Sequence, residues 1–156
     1  PNRYRRGLYT FIQRTSPFGQ AVNFDFPDPN RACSRRERSN TPLQALNLLN
    51  DEAFFEAARA LAARVLEAEV CASCPSSEAK RIDFAFERCL ARPATTAERD
   101  RLRDLLGEER NRFARDSEGV VRVVAAMEGV PETAEGAAWV MLCSVILNLD
   151  EFITKE

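Results

Sequence analysis

From residue 41 onward the chain alternates between helix-start signatures and apolar stripes of helical period. Thr41-Pro42-Leu43-Gln44 is the first start: Thr41 supplies a cap, Pro42 suits the first helical position, and Gln44 can complete a capping box. Leu43, Leu46 and Leu49 follow on one face. Asn50-Asp51-Glu52 opens the next helix, with acids at its positive end. Phe54, Ala58, Leu61 and Val65 then recur at spacings of three and four, the period of a buried helix face, to about residue 70. A third helix begins after Ser76-Ser77, carries Ile82, Ala85, Phe86, Cys89 and Leu90, and is stopped by Pro93. Thr95-Thr96-Ala97-Glu98 is a second capping box, and its helix carries Leu102, Leu105, Leu106 and Phe113. A weaker helix from Ser117 to Glu128 uses Val120, Val121, Val123 and Val124 and ends near Gly129. Pro131-Glu132-Thr133 is a turn and cap. The last helix presents Trp139, Leu142, Cys143, Ile146 and Leu147, and Phe152 tucks in its end.

Short connections of this kind favour antiparallel helix neighbours. The pattern predicts an all-α chain, with five to seven helices packed as an irregular bundle. Its expected core includes Phe54, Leu61, Val65, Phe86, Leu102, Leu106, Trp139, Leu142 and Ile146.

The first 40 residues read differently. Leu8, Tyr9, Phe11 and Ile12 among arginines fit a short helix or a strand equally well. Residues 15–40 hold Pro17, Gly19, Pro27 and Pro29, which break any regular element. Phe18, Val22, Phe24 and Phe26 are candidate anchors for this loop, and the alternation from Val22 to Phe26 fits one short strand. The expected division is an Arg-rich irregular segment, 1–40, packing on a helical domain, 41–156, as one structural unit. The start, PNRYRRGLYTF, lacks an initiator Met and a signal-peptide pattern, so it reads as an internal boundary of a larger protein. No apolar run approaches the roughly 20 residues needed to cross a bilayer.

Charge is unevenly placed. The net charge is −2, yet residues 1–40 carry eight Arg and three acids. Basic charge is nearly all Arg, with Lys only at Lys80 and Lys155. The basic segment therefore docks onto the acidic remainder or binds an anionic partner. The negative total, with no aromatic stripe to stack bases, argues against nucleic acid.

The chain has no His. His-containing triads, two-His zinc motifs and His-ligated haem are thus excluded from this segment. Five Cys are present, and Cys71 and Cys74 form a CxxC followed by Pro75. Haem attachment would need CxxCH, and a structural zinc site a second close pair. The motif closes a helix, whereas a thioredoxin-like site opens one. A local disulfide or two free thiols fits best, with Cys33 as an alternative partner for one of them. Cys89 and Cys143 fall on apolar stripes as small core residues. No cofactor or metal is expected in this segment.

The densest polar cluster is Asp25, Asp28, Arg31, Arg35, Arg36, Glu37 and Arg38, just before the helix start at Thr41. Arg side chains beside a helix N-terminus suit sulfate, phosphate or a carboxylated sugar. The competing reading pairs the same Arg with Asp25 and Asp28 and pins the loop to the helices. A glycosidase-like carboxylate pair would rest on two acids three residues apart and nothing more. Asn148, Asp150 and Glu151 lack the pattern of a calcium loop and read as a helix exit. No catalytic residue emerges.

YRRGLYTFIQRTSP, FDFPDP, RRERSNTPLQALNLLND and the tail AAWVMLCSVILNLDEF resemble the PSD-type C-terminal domain of planctomycete multidomain proteins, a domain of unknown function. The resemblance spans nearly all of residues 4–155. It implies a helical module of a large exported protein, periplasmic or at the cell surface, following cytochrome c-like domains that hold any haem. It supplies no catalytic residues. The implied role is a non-catalytic interaction module whose partners are other domains of the parent chain. The alternative is part of an enzyme, or a binding site, for anionic polysaccharide, sulfated or carboxylated, using the Arg-rich loop.

Overall fold

The computed structural model describes residues 9, 11–13, 15–28, 30–35, 39–68, 77–125 and 127–154. Among these the chain forms eight helices and no strand. They are α1 (Gly19–Asn23), α2 (Pro42–Asn50), α3 (Glu52–Glu67), α4 (Ser77–Leu90), α5 (Thr96–Phe113), α6 (Ser117–Val124), α7 (Ala134–Leu147) and α8 (Asp150–Ile153). The fold is all-α, as the stripes predict. Helices α2 to α7 are those the stripes mark out, and the short α1 and α8 are additions.

Side chains set most of the helix starts. The Gln44 N–H donates to Thr41 Oγ1 and the Glu98 N–H to Thr95 Oγ1, and both capping boxes close. Asp51, Asp116 and Thr133 cap α3, α6 and α7 in the same way. Each cap contributes about 1 kcal/mol.

Two elements differ from expectation. The Val22–Phe26 alternation makes no strand. Residues 19–23 coil into α1, Asp25 turns left-handed at φ 57°, and the Phe26 N–H returns to the Ala21 carbonyl at 3.0 Å. A left-handed residue breaks any extended run. Helix α6 stops at Val124 rather than Glu128, because Ala125 adopts φ 48° and ends the helical hydrogen bonding.

The core is organised around α7. Gly136 to Val140, Leu142 to Ser144, and Ile146 are buried, so this helix is covered on nearly every side. It packs mainly against α3, α5 and α6, and also touches α2, α4 and α8. Small residues at its start permit close approach: a Cβ at Gly136 would lie 2.0 Å from the Pro131 carbonyl oxygen. Val65, Phe86, Leu102, Leu106, Trp139, Leu142 and Ile146 are buried together. Leu61 is partly buried against them. Phe54 is a correction: it sits outside this cluster with its ring 6.1 Å from that of Phe24, and Phe55 packs on the core instead. Cys143 is buried and Cys89 half-buried, both as free thiols. Burial pushes both thiols up, and the neighbouring Cys89 adds to the effect at Cys143.

Ion pairs tie the helices at their edges. Arg110 bridges Glu78 and Glu135, and the Trp139 indole Nε1 donates to Glu135 Oε1 at 2.8 Å. Arg92 donates to both oxygens of Glu98 at 2.8 and 3.0 Å and to Glu151 Oε1 at 2.9 Å, linking the start of α5 to α8. Arg92 draws Glu98 down to about 2 from an ordinary 4.5, and it lowers Glu151 as well. A depressed carboxylate stabilises the fold above its unfolded pKa and loses that contribution as pH falls. Arg92→Gln is therefore expected to lower the melting temperature at pH 7. The gap to the unmodified chain should close between about pH 4.5 and pH 2. Arg92 also lies over the Phe86 ring, its guanidinium carbon 5.4 Å from the ring centroid; melting curves across that range test the ion pairs, and a gap that persists at pH 2 would show that Arg92 acts through this ring contact instead.

Candidate functional site

The site begins with Gln44, on the first turn of α2. Gln44 is 1% exposed, a buried polar side chain that must find partners. Its Oε1 accepts from the Thr41 N–H at 3.0 Å, and its Nε2 donates to the Asn23 carbonyl at 2.8 Å and to Ser39 Oγ at 3.0 Å. Ser39 in turn donates its N–H and its hydroxyl to the two oxygens of Asp25, each at 2.7 Å. Residues 25 and 39 are thereby held together. Phe24 anchors the loop on Phe54, and Phe26 is half-buried. Phe18 and Val22, expected as anchors, are exposed.

Within the loop, Asp28 Oδ1 accepts from the Asn30 N–H at 2.9 Å and from its amide Nδ2 at 3.1 Å. Asp28 Oδ2 lies 3.6 Å from Arg31 Nε. Residues 25–28 and 31–35 line a concave pocket of about 410 Å3. Asp25, Asp28, Arg31 and Arg35 thus come together, as their closeness in sequence suggests. Cys33 is an exposed free thiol in the same wall, and its Sγ donates to the Arg35 carbonyl at 3.2 Å. Arg36 and Arg38 lie outside the described residues, as do Cys71 and Cys74. Among the described residues no group of three or more His, Cys, Asp or Glu side chains is placed to hold a metal ion.

A second surface adjoins the loop. Gln44 and Leu48 face inward on α2, so Leu43, Leu46 and Leu49 share the opposite face and are 52%, 55% and 40% exposed. Helix α1, with Val22 exposed, packs against α2. At the other end, the Asn40 amide donates to Asp150, tying the loop exit to α8.

Sequence reasoning named the loop acids and arginines but took Gln44 only as a capping partner. Its second role depends on where Asn23 and Ser39 lie, which no local pattern states. The outward turn of the leucines was missed for the same reason.

The arrangement defines an all-helical bundle domain with a tethered N-terminal loop. Residues 1–106 match the family model described as PSD1, protein of unknown function (DUF1553), and the chain belongs to that family. Neither a curated protein nor a solved structure shows significant similarity to the chain. The matched stretch contains the loop, α2 and both surfaces just described. No helix among the described residues is long and apolar enough to cross a membrane.

Proposed function

We propose that this chain is a non-catalytic interaction module that docks, through the outer face of α2, onto other domains of a larger exported multidomain protein with cytochrome c-like domains. The reading assigns the segment no cofactor. The observation that carries it is the stripe of Leu43, Leu46 and Leu49 turned to solvent on a helix whose inner side is locked by Gln44. An amphipathic helix binds by laying its apolar face into an apolar groove, and Leu43 and Leu46 hold the i, i+3 spacing of such anchors. Burying one such side chain is worth about 1.5–3 kcal/mol. The exported setting rests on the resemblance to planctomycete proteins.

The test is to titrate this chain, by calorimetry, with the remainder of its parent polypeptide supplied as a separate protein. Leu46→Ser is expected to weaken association by roughly tenfold or more, since about 1.4 kcal/mol is a factor of ten. Unchanged affinity in a Leu43→Ser/Leu46→Ser double variant would overturn the assignment of α2 as the contact.

A further inference from the structure

Three stretches of this chain run for ten residues or more without a charged side chain: 15–24, 39–50 and 136–149. Charged residues make up 29% of the whole, so runs of that length stand out. Burial explains such a run, because a charge taken out of water without a partner is costly. For 136–149 burial is the plain reason, since that run supplies α7, the helix covered on nearly every side. The other two runs supply α1 and α2, which pack against each other. Yet Phe18, Val22, Leu43, Leu46 and Leu49 within them are exposed. Among the described residues, every exposed large hydrophobic side chain except Val121 lies between residues 9 and 49. The composition of α1 and α2 is thus that of a buried element, while their outer side chains meet water.

This sets the chemistry of what covers them. A charged group pressed onto the face would lose its water and find no counter-charge on either helix, which is strongly unfavourable. The polar side chains of α2 do not compensate. Gln44 is turned inward, and the Asn50 amide donates to the Leu46 carbonyl of its own helix at 2.8 Å. Interfaces whose centres lack charge in this way resemble a domain core cut in half and belong to lasting assemblies.

On the basis of the docking reading above, we infer that the interface extends from α2 onto α1 and that the partner domain meets it with an apolar surface free of charge, as a permanent contact.

The test repeats the calorimetric titration with the remainder of the parent polypeptide at about 50 and about 500 mM NaCl, a range over which charge pairing is heavily screened. Affinity is expected to change by less than about twofold, whereas an interface held by ion pairs loses it steeply. Leu46→Lys and Leu46→Glu are each expected to weaken binding by more than about tenfold, and to the same extent, because either charge is buried without a partner. Val22→Ser, on α1, should weaken it several-fold. Both positions are exposed, and the circular dichroism and melting of each variant exclude loss of the fold as the cause. A Lys variant that binds much better than the Glu variant, or the reverse, would reveal a charge on the partner. A steep loss with salt would do the same, and full affinity in Val22→Ser would confine the contact to α2. Each of these overturns the inference and leaves docking through α2 standing, since Leu46 still matters. Binding indifferent to every change at Leu46 would remove the docking reading itself. Sedimentation of this chain alone and flotation with phosphatidylglycerol vesicles cover the other occupants. Self-association or vesicle binding that is lost in Leu46→Glu would give the face to a second copy or to lipid, and would also overturn the inference.

Discussion

Trp139→Ala is expected to destabilise the chain by about 3–5 kcal/mol, the range for removing a large buried aromatic side chain. Trp139 is fully buried at the centre of α7, and its indole N–H is spent on Glu135. Truncation opens a void where α7 meets its neighbours and removes one of the donors that Glu135 shares with Arg110. A domain is typically stable by only about 5–15 kcal/mol, so the variant should lose about a fifth or more of its margin. Urea unfolding of the two proteins checks it. Trp139→Phe should lose less, because most of the ring volume stays and Glu135 keeps both Arg110 contacts. A loss below about 1 kcal/mol for the Ala variant would mean that α7 is not the helix around which the others pack.

The second large effect comes from making one chemical change at two places. Leu142→Ala should cost about 2–5 kcal/mol, since Leu142 is fully buried. Leu46→Ala should stay within about 0.5 kcal/mol, since half of that side chain already meets water. Ala is a good helix former, so neither helix is penalised by propensity. Chemical unfolding of both variants against the unmodified chain separates burial from composition. Similar losses at the two sites would show that the leucines of α2 are packed in solution, and the docking face would have no basis.

Much of the bundle was legible because its signals are local. The Thr41 and Thr95 capping boxes, the acids opening α3 and the stripe through Ile82 and Phe86 each fix an element from within about ten residues. Burial on a helix is different, since periodicity says which residues share a face and not which way the face turns. Leu43, Leu46 and Leu49 do share one, and the inward side is claimed by Leu48 and by Gln44, whose partners Asn23 and Ser39 belong to the loop. Phe54 fell on the expected stripe, yet Phe24 drew it outward and Phe55 filled the core position. The loop pocket was half legible. Clustered acids and arginines announced a charged site, but Asp25 closes on Ser39 through a left-handed turn that composition does not specify.

The place of α7 in the chain has a consequence for biosynthesis. Translation delivers the N-terminus first, at about 5–20 residues per second. Helices α3, α4 and α5 emerge well before the helix they pack on, and each carries an apolar face with nothing yet to cover it. The caps of α3 and α5 favour their early formation, but the shared interior cannot close until residues 134–147 have left the ribosome. Over that interval the nascent chain exposes Phe86, Leu102 and Leu106, which are dry in the finished domain. Its vulnerability to aggregation and to chaperone capture is thus concentrated in the seconds before the last long helix arrives.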